Sequence, residues 1–156
     1  MRKAAVLFAL AANLALADAV VKEWAAARLK GAAAIEVIKN FFSLAYVENR
    51  GCAWGMLQGH VWPLALFAII AIAVIIWQRK KIFGSGRWAL LFEGMLYAGI
   101  IGNLLDRMVR GYVIDMIDLH WGASHFPCFN LADTYITLAA TYLVVSSLFA
   151  GSGKTK

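Results

Sequence analysis

The chain has 156 residues, 62% of them hydrophobic and only 15% charged, with a mean hydropathy of +0.70. Soluble domains carry roughly 25% charged residues, so this composition excludes an ordinary soluble domain and leaves room for only a few membrane spans. The net charge of +6 does not point to nucleic acid, because the basic residues flank apolar runs and form no aromatic-studded patch.

The first apolar run extends over about 4–20, interrupted only by Asn13 and Asp18. A basic start and small residues near 15–19 also fit a cleavable secretory signal. Removing it would leave three spans and put one basic end on the wrong side, so an uncleaved helix is expected. Lys22 to Leu29 either extends this helix or lies as an amphipathic turn in the interface. Phe41 to Val47 is β-prone and is followed by turn-forming Asn and Gly in Glu48-Asn-Arg-Gly-Cys-Ala-Trp-Gly55, which predicts a small external β element.

Three further runs follow, at about 61–77, 88–105 and 131–150. At about 1.5 Å per residue the runs reach roughly 25–30 Å, the thickness of a bilayer's hydrocarbon core. Trp62, Trp77 and Trp88 stand at run ends, where interfacial aromatics belong. The expected fold is an all-α integral membrane protein: four transmembrane helices, a small external β element and an external loop over the active site. The chain reads as one transmembrane domain over 1–156, with external segments 21–60 and 106–130 and a disordered tail over 151–156. The segment His120 to Cys128 reads as the covering loop.

Arg2 and Lys3, the group Arg79, Lys80, Lys81 and Arg87, and Lys154 with Lys156 all fall on one side of a four-span chain, consistent with the cytoplasm. Eight of the nine acidic residues then lie at or near the external face. Glu93 is the exception, a helix residue expected to be satisfied by a partner. Cys52 and Cys128 are both external and either form a disulfide or are two small buried apolar residues.

Four of the acidic residues, Asp106, Asp115, Asp118 and Asp133, gather with Asn103, Arg107 and Asn130 where the third span ends and the fourth begins. If the third helix continues past Leu105, Asn103 and Asp106 share a face, with Arg107 one turn beyond Asn103. Asn130 and Asp133 repeat that spacing. Arg110-Gly111 allows a turn that brings Asp115 back toward the membrane.

Two close carboxylates in a low-dielectric site share a proton and so supply a general base and a general acid together, as water-mediated amide hydrolysis requires. Ion pairing, as Asp106–Arg107 or Asp118–Arg110, is the structural alternative. A cation site using His120 and His125 lacks any His-x-x-x-His or Glu-x-x-His spacing, so no metal ligand is expected. An ion or proton relay through the same aspartates is a second function class, but the second run carries no ionisable group and the fourth only Asp133 near its start.

Asn49-Arg-Gly-Cys-Ala-Trp-Gly55, Gly102-Asn-Leu-Leu-Asp-Arg107, Val113-Ile-Asp-Met-Ile-Asp118 and Phe129-Asn-Leu-Ala-Asp133 together resemble the motif set of the bacterial lipoprotein signal peptidases (signal peptidase type II). That family consists of four-helix inner-membrane aspartyl proteases, and the likeness covers nearly the whole chain. The resemblance implies that Asp115 and Asp133 are a catalytic dyad, and that Asn49, Gly51, Asn103, Arg107 and Asn130 bind substrate backbone or orient the dyad. It implies structural roles for Asp18, Lys22 and Asp106. It further implies a lipid-modified prolipoprotein substrate, cleaved before its diacylglyceryl-cysteine at the external or periplasmic face. No cofactor, metal or nucleic acid is implied, and membrane lipids and a monomeric state are expected. Segments 37–60 and 119–128 are expected to close over the substrate. Cys52, Trp54, Ala98 and Met116 depart from the family pattern at apolar or small positions, which affects pocket shape and not the polar chemistry.

Overall fold

A computed structural model describes residues 2–52 and 56–151. Trp54 and all but the first residue of the expected disordered tail lie outside the described residues. The elements in chain order are α1 (Arg2–Leu29), β1 (Ile35–Ile38), β2 (Phe42–Asn49), α2 (Val61–Phe83), α3 (Arg87–Arg110), β3 (Val113–Trp121), β4 (Ser124–His125) and α4 (Leu131–Gly151). All four helices are long and apolar enough to cross a membrane.

The apolar run that ends at about residue 20 does not end α1, which continues to Leu29. Of the two readings of 22–29, helix extension is the one observed. At 28 residues and about 1.5 Å per residue, α1 is roughly 42 Å long, more than the roughly 30 Å of a hydrocarbon core. Its C-terminal turns continue beside the sheet, where Ala25 and Leu29 pack with Ile114 and Met116 in a buried cluster.

The central helix is α3, against which α1, α2 and α4 all pack. Close approach is built into its small residues. A Cβ on Gly99 would lie 2.4 Å from the Ala132 carbonyl oxygen, and one on Gly102 would lie 2.6 Å from Asp18 Oδ2. Glu93, buried within α3, receives two hydrogen bonds from Arg79 at 2.8 and 2.9 Å. This pair ties the α2–α3 hairpin together and supplies the partner expected for Glu93. The helix stops at Gly111, whose left-handed φ of 76° lets its N–H close on Arg107 O.

The external β element is larger than Phe41–Val47 suggested. It is a four-stranded sheet in the order β1-β2-β3-β4, antiparallel throughout. Part of the expected covering loop is strand: His120 and Trp121 end β3 and pair with His125 and Ser124 of β4. The remaining residues of that loop continue into Phe129, which bridges to Ile117. The β3 sequence Val-Ile-Asp-Met-Ile-Asp is buried on both faces at its start, which removes the apolar–polar alternation by which a half-buried strand is read.

Candidate active site

Two elements meet at the end of the bundle that carries the sheet. The first is the N-terminus of α4, where Asn130 caps the helix. Its Oδ1 accepts the Asp133 N–H at 2.9 Å, while Asp133 Oδ2 accepts the Asn130 N–H at 3.3 Å. This reciprocal pairing is a capping box, and it orients both side chains from within the helix's first turn. The second element is β3, which holds Asp115 opposite Val47 of β2.

Amide side chains join the two carboxylates. Asn130 Nδ2 donates to Asp115 Oδ1 at 2.7 Å, and Asn49 Nδ2 donates to Asp115 Oδ2 at 2.9 Å. Asn103 Nδ2 donates to Asp133 Oδ1 at 2.7 Å, while its Oδ1 accepts from Asn130 Nδ2 at 3.2 Å. Lys22 sets which way Asn103 points. Its ammonium has only donors, so Asn103 turns its oxygen toward Nζ, 3.1 Å away, and its nitrogen toward Asp133.

Lys22 itself is fully buried and neutralised. It lies 2.7 Å from Asp18 Oδ2 and 3.0 Å from Asp106 Oδ2. Asp18 Oδ1 accepts the Ala132 N–H in the first turn of α4 at 2.9 Å, a favourable place for an anion. The three residues expected to be structural therefore brace three helices around the carboxylates. Asp106 pairs with Lys22 and with Arg110 at 3.0 Å, not with Arg107 as the sequence suggested. Arg110 also pairs with Glu23 and leaves Asp118 to His125 Nδ1, 2.8 Å away. In both cases the nearer sequence neighbour points elsewhere: Arg107 turns into the site, and β3 carries Asp118 away from α3.

Arg107 donates to Asn103 O at 3.2 Å and to Gly51 O at 3.1 Å. It thereby pins the segment after β2 to α3. Gly51 N–H in turn donates to Asn49 Oδ1 at 2.9 Å. Any Cβ on Gly51 would sit 2.3 Å from Met56 O, so only glycine fits. All ten sequence-predicted site residues thus belong to one connected network.

Asp115 is 2% exposed. Its burial, and secondarily the negative charge of Asp133, push its carboxyl from the ordinary 3.8 up to about 7, although bonds from Asn49 and Asn130 pull the other way. At neutral pH such a group exchanges a proton readily.

Beside the network lies a cavity of about 680 Å³. Leu64, Phe67, Ala68 and Ala71 of α2 form one wall and Thr134, Ile136, Thr137 and Leu138 of α4 the other, with Ile100, Asn103 and Arg107 of α3 also lining it. Asn49, Cys52 and Phe126 to Phe129 line the side nearest the sheet. Sequence reasoning singled out the polar end but not these apolar walls, because nothing in an apolar transmembrane run separates a cavity-lining face from a lipid-facing one. Cys52 and Cys128 are both free and both line the cavity. His120 and His125 lie along the sheet, with His120 Nε2 3.1 Å from Ser43 Oγ. Among the described residues, no three His, Cys, Asp or Glu side chains group as metal ligands.

Fold and site define a class: a multi-pass membrane protein with two hydrogen-bonded carboxylates at the end of an apolar groove. Comparison with known proteins narrows it. The family described as Signal peptidase (SPase) II matches residues 10–149. The lipoprotein signal peptidase of Vibrio vulnificus is 40% identical over 115 residues, covering 71% of this chain and 68% of that protein. That of Clostridium acetobutylicum is 34% identical over 131 residues, covering 83% and 85%. A solved bacterial membrane enzyme at 2.3 Å resolution superposes with a TM-score of 0.82 at 27% identity, covering 97% of this chain and 92% of that one. A second, at 1.9 Å, gives 0.78 at 29% identity and covers 92% of each. The chain belongs to the signal peptidase II family, the lipoprotein signal peptidases. These are proteases that process the signal peptides of prolipoproteins.

Proposed function

We propose that this protein is an intramembrane aspartyl endopeptidase that removes the signal peptide from prolipoproteins by cleaving just before a diacylglyceryl-modified cysteine. One observation carries the reading: Asp115 and Asp133 are held by shared asparagines in one buried network that opens onto an apolar cavity between α2 and α4. A signal-peptide helix entering from the bilayer meets apolar walls first and the carboxylates at their external end.

In the proposed reaction one carboxylate is ionised and takes a proton from water as that water attacks the scissile carbonyl. The other is protonated and donates to the carbonyl oxygen, and the roles exchange as the amine leaves. The elevated carboxyl of Asp115 suits it to carry the resting proton, which makes Asp133 the base. Asn49, Asn103 and Asn130 hold the carboxylates in place. Arg107, held in place by the Asn103 and Gly51 carbonyls, supplies a fixed donor near the developing oxyanion, where preorganisation has most effect.

The protein acts as a monomer in the bacterial inner membrane, with both termini cytoplasmic and the dyad at the periplasmic face. Asp115→Asn and Asp133→Asn test this reading. Each should abolish cleavage of a lipid-modified prolipoprotein while leaving membrane insertion intact, because the change is nearly isosteric. Normal turnover by the purified Asp133→Asn enzyme would refute the dyad.

A further inference from the structure

The serine and threonine residues of α4 are Thr134, Thr137, Thr141, Ser146 and Ser147, and all but one spend their hydroxyls on their own helix. Thr134 Oγ1 donates to Asn130 O at 3.0 Å and Thr141 Oγ1 to Thr137 O at 2.8 Å. Ser146 and Ser147 donate to Leu143 O and Val144 O at 3.0 and 2.8 Å. Back-bonding of this kind satisfies a hydroxyl on an apolar helix. Thr137 does not use it: among the described residues nothing bonds to its hydroxyl.

Thr137 is also exposed and lines the groove between α2 and α4. The other nitrogen- and oxygen-bearing side chains described in that lining are engaged. Asn49, Asn103, Arg107 and Asp133 belong to the network, and Thr134 bonds to its own helix. Around Thr137 the walls are apolar, with Phe67, Ala68 and Ala71 on α2 and Ile100 on α3.

Apolar walls are costly for a free hydroxyl and for a bare peptide backbone alike. In a helical signal peptide each carbonyl is tied to the N–H four residues on, so the stretch to be cut must unwind. Unwinding frees backbone groups for which apolar walls offer no partner. A fixed hydroxyl offsets that cost for one carbonyl. Thr137 lies one turn beyond Asp133, on the side away from the sheet, a rise of roughly 6 Å. An extended chain advances about 3.3 Å per residue, so that distance spans about two residues.

We propose that Thr137 is a positioning residue whose hydroxyl donates to the substrate's backbone carbonyl about two residues upstream of the bond cleaved. It reads unwound backbone and not a particular side chain. The inference rests on the peptidase reading and names the part of the substrate that the α4 wall holds.

Steady-state cleavage of a diacylglyceryl-modified prolipoprotein by Thr137→Val and Thr137→Ser tests it. Thr137→Val keeps the shape and removes the donor. It should raise KM about threefold to tenfold, the effect of one neutral hydrogen bond, and leave kcat within about twofold. Thr137→Ser keeps the hydroxyl and should recover most of that loss. A synthetic lipopeptide in which the proposed carbonyl belongs to an ester, a weaker acceptor than an amide, identifies the partner. Wild-type protein should lose about as much on the ester as Thr137→Val loses on the amide. The two changes together should cost little more than either alone. A wild-type KM for Thr137→Val, or losses that multiply, would overturn the inference and leave the peptidase reading standing. Equal damage from Thr137→Ser would assign the effect to packing and overturn it too. Absence of cleavage by wild-type protein would instead remove the peptidase reading, and this inference with it.

Discussion

At the scale of single residues, Lys22 and Asp115 make the account quantitative. Lys22 is a fully buried cation whose partners, Asp18, Asp106 and Asn103, come from two helices. Removing one member of such a group leaves buried charge unpaired, at a cost of about 3–5 kcal/mol. Lys22→Met is therefore expected to lower the unfolding temperature markedly and, by freeing Asn103 to turn away from Asp133, to lower kcat. Thermal unfolding and cleavage measured on one preparation check this, and no change in either would contradict it. Asp115 gives a pH dependence. Its carboxyl is raised to about 7, so the proton needed for acid catalysis is present below that value and is lost as pH rises through it. On the basic side kcat/KM should fall about tenfold per pH unit once above about 7. A profile flat to pH 9 would remove Asp115 as the acid.

At the scale of elements, the site depends on how closely α3 and α4 approach. Gly99 touches the Ala132 carbonyl and Ile136, one turn below Asn103. Gly99→Ala should push the helices apart at a cost of about 1–3 kcal/mol and lengthen the Asn103–Asp133 hydrogen bond. The expected signature is a larger fall in kcat than in stability, read from turnover alongside thermal unfolding. Element by element, legibility in the sequence was uneven. Asn130 and Asp133 were visible because a capping box is a local device with a three-residue spacing that precedes an apolar run. Asp18 stood out as a charge inside an apolar run, Asp106 as one of a cluster of aspartates and Lys22 only through the resemblance, yet packing alone decided that Lys22 and Arg110, and not Arg107, neutralise Asp106. The strand character of Val113–Trp121 was hidden because burial of both faces erases alternation. The β1 edge, with Glu36 between apolar residues, gave a signal too short to read.

At the scale of the whole molecule, the four spans follow from composition and run length and the β element from one β-prone stretch with its turn residues, as the helices and sheet show. The cavity does not, because it is the space left between α2 and α4, and no single residue encodes a gap. Bundle and sheet together place two carboxylates at the sheet end of an apolar groove, the geometry on which the proposed cleavage of a lipid-anchored peptide rests. The most direct test is a gel-shift cleavage assay in detergent containing EDTA. Purified wild-type protein would be given the same prolipoprotein with and without its diacylglyceryl group, beside an Asp115→Asn control. Cleavage of only the lipid-modified form, by wild type alone and despite the chelator, is the predicted result. No cleavage by well-folded wild-type protein, or cleavage that persists in Asp115→Asn, would contradict the account.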